Sequence, residues 1–311
     1  MTEATPDTLS PDERQPLVRR ATYAAVAVAG TLVAAKLAAY LLTGSVSLLS
    51  TLVDSMLDVC ASGINLFAVR HAMQPADREH RFGHGKAEPL AGLGQAAFIA
   101  GSAVFLVIEA VSRLFDPAPV KRGEVGIGVM VFAIVLTLAL VAYQRYAARR
   151  TGSVAIKADS VHYQVDVLVN LAVIVSLIII SGLGWQWVDP VFAVGIAVYI
   201  MHGAWDVARR SLNLLMDKEF PDADRERIKQ LAQDHPETHS VHDLRTRSSG
   251  PQSFIQLHLE LDPALSLTRA HDIADEVEGR IRAAFPDAEV IIHQDPAGLY
   301  EGHGPVAREE A

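Results

Sequence analysis

The chain has 311 residues, half of them hydrophobic, and a positive mean hydropathy, which excludes an ordinary soluble globular protein. Its single cysteine, Cys60, excludes an internal disulfide and any CxxC metal motif. A net charge of −9 without any basic run argues against nucleic acid as a partner.

Residues 1–16 are polar and rich in Pro, Asp and Glu. They lack the apolar core of a cleavable signal and read as a disordered tail. Six apolar segments of about 20 residues, the length of a membrane span, follow. They run over 18–42, 45–69, 89–115, 125–146, 160–182 and 187–206, within a transmembrane domain of 17–208. Thr43-Gly44-Ser45 alone separates the first two, which forces an antiparallel hairpin. Lys36 and Glu109 lie toward span ends, where long side chains reach the interface, and read as anchors rather than ligands. Lys and Arg are distributed very unevenly between the two sides. Fourteen, from Arg14 to Lys218, fall on one side, and Arg113, Lys121 and Arg122 on the other. The rich side is cytoplasmic by the positive-inside rule, so both termini are too.

After Arg209 the composition turns soluble, and 209–299 reads as αββαβ. Pro221-Asp-Ala-Asp opens a helix with acidic residues in its first turn. Val241 to Arg247 and Ser253 to Leu261 alternate as strands, with a Ser-Gly-Pro hairpin between them. Leu267 to Phe285 is an amphipathic helix and Glu289 to His293 a last strand. Two helices on a three-stranded sheet make a small α+β domain. Residues 300–311 read as a loose tail.

Two spans carry ionisable residues in pairs. Asp54 and Asp58, and again His162 and Asp166, are four apart and so share a helix face; Asn170 continues the second face. Such side chains are costly in hydrocarbon and mark an ion path or relay. Three carboxylates and an imidazole from two helices surround one tetrahedral divalent ion and offset its charge. A hydrogen-bonded polar seam explains one lone Asp better than two separate pairs. Metal requires neutral imidazole and ionised carboxylates, so it competes with protons. A cage open alternately to the two sides therefore exchanges metal for protons.

Two further clusters lie outside the spans. Asp77, His80 and His84 have metal-ligand spacing if their stretch is helical, but Gly83 and Gly85 favour a turn; a solvated basic loop fits the spacing as well. His242, His258, His271, His293 and Asp295 come from three strand segments and one helix, and His293 and Asp295 share a strand face. Their concentration points to a metal site, with Gln294 beside it.

Taken in order, the chain resembles the cation diffusion facilitator family of divalent-metal/proton antiporters, in its bacterial iron- and zinc-efflux branch. The resemblance rests on Gly44-Ser-Val-Ser, Val53-Asp-Ser-Met-Leu-Asp58, Gln74-Pro-Ala-Asp77 and Phe82-Gly-His-Gly-Lys-Ala-Glu88. It continues through Ala158-Asp-Ser-Val-His-Tyr-Gln-Val-Asp166, Asn170, Leu214-Leu-Met-Asp217 and Val241-His-Asp-Leu-Arg-Thr-Arg247. It implies six transmembrane helices plus a metallochaperone-like cytoplasmic domain, in a homodimer in the inner membrane. It assigns transport to Asp54, Asp58, His162 and Asp166, and a loop site to Asp77, His80 and His84. It assigns a cytoplasmic two-metal site to His242, His258, His271, His293 and Asp295, and a charge pair interlocking protomers to Lys86 and Asp217. The expected cargo is Zn2+, with Cd2+ or Fe2+ as further cargo and cobalt and nickel left open, since imidazole favours zinc and iron over manganese and no thiolate invites copper(I).

Two rivals come from other classes. An intramembrane metalloenzyme needs an open coordination position, which four ligands do not leave, and no HExxH motif is present. A membrane-anchored metal sensor needs the cytoplasmic domain but no charged cage at membrane depth. No phosphate-binding Gx4GK[ST] loop favours a primary pump.

Overall fold

A computed structural model describes residues 11–43, 46–115, 124–183, 188–250 and 252–298. Two compact units divide the chain after Met216. Unit one is all helix: α1 (Pro11–Thr43), α2 (Val46–Ala72), α3 (Ala87–Phe115), α4 (Glu124–Thr151), α5 (Val154–Leu183) and α6 (Val188–Leu215). Five described stretches, one each in α1 to α4 and α6, are long and apolar enough to cross a membrane. The expected fifth span, 160–182, lies within α5, the helix that carries Asp159, His162 and Asp166.

The exterior of this unit is apolar, with Leu41, Phe67, Phe105, Val135 and Trp205 all exposed. Its interior uses small side chains that let helices approach closely, as membrane bundles do. Ala103, Ala197 and Ala204 pack with Ile99 and Ile200 between α3 and α6. A Cβ on Gly92 would stand 2.7 Å from Ser211 Oγ, and one on Gly203 would stand 3.0 Å from Val161 Cγ1. Tyr163 of α5 is fully buried; its hydroxyl lies 2.8 Å from Ser62 Oγ of α2 and 3.4 Å from the Ala25 carbonyl of α1.

Unit two contains α7 (Asp222–Gln233), β1 (Ser240–Ser249), β2 (Gln252–Leu261), α8 (Leu267–Ala284) and β3 (Ala288–Pro296). The sheet order is β1-β2-β3, antiparallel between the first pair and parallel between the second. Ile255, Leu257, Leu259 and Leu261 are buried at the strand period of two, against Ile228 of α7 and Ile273, Val277 and Ile281 of α8. Ser266 caps α8 by accepting from Arg269 N–H at 3.2 Å. Even-numbered β2 residues, His258 among them, face away from the helices.

Two expected boundaries move. Residues 11–16 of the expected polar tail are helical and belong to α1. The membrane unit ends after Met216 rather than at 208, because α6 continues to Leu215; Arg210 pairs with Asp206 at 3.2 Å and Ser211 is fully buried. Gly44, Ser45, Lys121, Arg122 and the expected tail 300–311 lie outside the described residues, as does the Glu109 side chain.

Candidate metal sites

The first site lies between α2 and α5. Donor atoms of Asp58, His162 and Asp166 come within 4.8 Å of one another, and His162 Nε2 stands 3.1 Å from Asp58 Oδ1. His162 is buried, and Phe98 and Tyr163 pack edgewise on its ring. Asp54, one turn away on α2, is exposed and stands outside that group. Asn170 follows on the same face as Asp166, but its amide donates to the Asp166 main-chain carbonyl at 2.7 Å. The Lys36 ammonium donates to Thr51 O at 3.1 Å and Ser55 Oγ at 2.6 Å, which puts a cation beside Asp54. Two carboxylates and one imidazole form a hard-to-borderline donor set that suits zinc or iron(II).

The second site is a turn, not a helix, as Gly83 with its φ of 75° requires. Asp77 Oδ1 accepts from the backbone N–H of Glu79 at 2.9 Å and of His80 at 2.6 Å. These bonds, that from His80 first, hold its carboxyl below the ordinary aspartate range. The turn returns His84 Nε2 to 3.3 Å from Asp77 Oδ2 and leaves His80 Nδ1 3.6 Å from Oδ1. All three residues offer donors within 4.8 Å of one another.

The third site lies on the sheet face opposite the helices. His242, His258 and His293 are register partners across all three strands. Buried Asp295 sits under this row: its Oδ2 is 2.7 Å from His258 Nδ1 and 3.4 Å from His242 Nε2, and its Oδ1 is 3.1 Å from His293 Nε2. Apart from that approach of His293, the buried Oδ1 makes no hydrogen bond among the described residues, a cost that a bound cation would remove. Gln294 is half-buried beside it. His271 stands apart on α8, exposed and 3.6 Å from Asp275. Lys86 is half-buried just before α3; Asp217, at a φ of 54°, lies 3.7 Å from Arg247.

Two residues at these sites escape the sequence pattern. Asp243 occupies a bulge of β1 at a φ of 46°, which turns its carboxylate to 3.7 Å from His258 Nε2 while it accepts twice from Arg245. It lines a cavity of about 320 Å³ with His258 and His293. Asp159, one turn before His162, is buried and accepts from Gln95 of α3 and Gln144 of α4. Its i, i+3 spacing to His162 is the one signal that marks it.

Comparison with known proteins gives concordant matches. Residues 22–216 match the family described as "Cation efflux transmembrane domain", and residues 220–297 match "Cation efflux protein, cytoplasmic domain". The chain is 51% identical over 279 residues to the Cation-efflux pump FieF of Shewanella oneidensis, covering 90% of this chain and 94% of the relative. It is 46% identical over 288 residues to the Cation-efflux pump FieF of Salmonella paratyphi A, covering 93% and 96%. Among solved structures it is similar to the metal-bound C-terminal domain of the CzcD transporter from Thermotoga maritima. The identity there is 28% and the TM-score 0.25, covering 25% of this chain and 93% of that one.

Proposed function

Because the chain belongs to the cation efflux family, we propose that it carries Zn2+, and with it Cd2+ or Fe2+, out of the cytoplasm in exchange for protons by alternating access. The observation that carries this reading is the convergence of Asp58, His162 and Asp166 between two helices of an apolar bundle. Ionisable groups at such depth are retained for a cargo. Asp54, next on the α2 face, completes the ligand set as the fourth donor. Facing the cytoplasm, ionised carboxylates and a neutral imidazole bind the metal. Facing the other side, protons entering the same groups displace it. Lys36 keeps a fixed positive charge beside the carboxylates after the metal leaves.

The chain works on this reading as a homodimer in the inner membrane with both termini cytoplasmic. The His242, His258, His293 and Asp295 site is regulatory, His271 serves its second metal, and Lys86 and Asp217 interlock the protomers. Uptake into reconstituted vesicles under an imposed pH gradient tests the reading, with zinc, cadmium, iron(II) and manganese compared. Gradient-driven zinc flux that Asp54→Ala and Asp166→Ala each abolish, in protein that still folds, is expected. Tight binding without flux of any metal would replace antiport with the membrane-anchored sensor.

A further inference from the structure

We propose that His71 is the fourth ligand of the loop metal site, closing Asp77, His80 and His84 into a four-ligand site of the kind that retains zinc. The inference rests on the loop cluster being a metal site. Three donors leave a tetrahedral ion with one position open, and structural zinc sites are closed by a fourth protein ligand.

His71 lies in the last turn of α2, six residues before Asp77 and outside the spacing that marks the loop. Its ring centre is 4.6 Å from that of His84, and the His80 ring is also 4.6 Å from His84. Two imidazoles bound tetrahedrally to one ion, each about 2 Å from it, carry their ring centres about 5 Å apart. Both neighbours of His84 therefore stand close enough to share an ion with it once their nitrogens are turned inward. His84 is buried, and its Nδ1 has no hydrogen-bond partner among the described residues. A buried nitrogen without a partner calls for an explanation, and a bound cation supplies one.

The nitrogens of His71 are outside the group of donors within 4.8 Å. Ligation therefore requires its ring to turn about its own side-chain bonds. Its half-exposed place at a helix end permits this, with Phe67 stacked at 6.1 Å as the contact given up. The resulting set is three imidazoles and one carboxylate, which favours zinc over manganese, magnesium and calcium. A closed site holds its ion rather than passing it on. It would staple the end of α2, the helix that bears Asp54 and Asp58, to the turn leading into α3.

The test uses the full chain in detergent, in a background carrying Asp166→Ala and His258→Ala so that the other two sites lose a ligand. Co2+ is the probe, with X-ray absorption to count imidazoles and optical titration to measure affinity. The background should bind cobalt tetrahedrally with three imidazoles. His71→Ala should lower the count to two and weaken binding at least about tenfold. His71→Cys should restore affinity and add a thiolate-to-cobalt charge-transfer band, which a residue that merely orients His84 cannot produce. An unchanged imidazole count and affinity in His71→Ala, with cobalt lost in His84→Ala, overturns the role of His71 and leaves the loop site standing. No cobalt bound in the background, or binding indifferent to His84→Ala, overturns the loop site itself and this inference with it.

Discussion

Asp159 shows how one buried carboxylate is held in a membrane bundle. Gln95 Nε2 donates to its Oδ1 at 3.1 Å and Gln144 Nε2 to its Oδ2 at 2.6 Å, so α3, α4 and α5 meet at this one side chain. Truncation strands two buried amide donors, each costing about 1–3 kcal/mol. Asp159→Ala should therefore lose about 3 kcal/mol in a denaturant titration of the purified protein. Asp159→Asn should lose less than about 1 kcal/mol. Gln144 Oε1 is a buried acceptor without a hydrogen-bond partner among the described residues, and a flip of that amide lets it take the new N–H. Equal losses in the two variants would show that the charge, not the hydrogen bonds, holds the helices. At this scale the sequence is readable where the helix period does the work: Asp58, His162 and Asp166 follow from i, i+4 spacing and meet as donors. Asp243 is not readable, because a one-residue bulge in β1 decides where its carboxylate points. Neither is the hydrogen bonding of Lys36, which depends on how α1 lies against α2 rather than on its position in the span.

Among the elements, close approach and local ion pairs carry the predictions. Gly92 lets α3 pass both Ser211 of α6 and Val154 of α5, whose Cγ1 would stand 3.1 Å from an added Cβ. Gly92→Val adds two further methyls there and should cost about 1–3 kcal/mol through forced helix separation, read as a lower melting temperature. Gly94 has nothing within 4 Å of such a Cβ, so Gly94→Ala should be tolerated. In the soluble unit Arg269 of α8 forms a charged hydrogen bond to Glu237, which holds that carboxyl below the ordinary glutamate range. A depressed folded pKa contributes stability above the unfolded value and loses it as pH falls through the folded one. From pH 7 to pH 3 the unfolding midpoint of the wild type, measured in chelator, should therefore fall further than that of Glu237→Gln. Parallel pH profiles would leave the pair without weight. The six helices and the αββαβ order are legible because apolar runs and period-two alternation each cover a whole element. The end of α6 is not, because a helix leaving the membrane keeps its hydrogen bonds through polar residues such as Arg209 and Arg210.

For the molecule as a whole, the distribution of charge matters more than its total. Residues 217–300 hold seventeen Asp and Glu against nine Lys and Arg, a formal −8 of the chain's −9. The helical unit, close to neutral, adds little. In the proposed homodimer two strongly acidic domains are held near each other, and at low salt they repel across a Debye length of about 10 Å at 0.1 M. Divalent ions held at the His242, His258, His293 and Asp295 site would offset part of that charge, so metal in the cytoplasm should draw the two domains together. Cys60→Ser with Gln233→Cys gives one spin label per protomer, on the exposed end of α7. The inter-label distance should shorten when zinc is added to chelator-treated protein, and His258→Ala should remove the response. Raising the salt without metal should reproduce part of the shortening, because screening acts on the same charges. A zinc response unaffected by His258→Ala would place the controlling ion elsewhere in the chain. Identical distances with and without zinc at low salt would leave the cytoplasmic site with no part in bringing the protomers together.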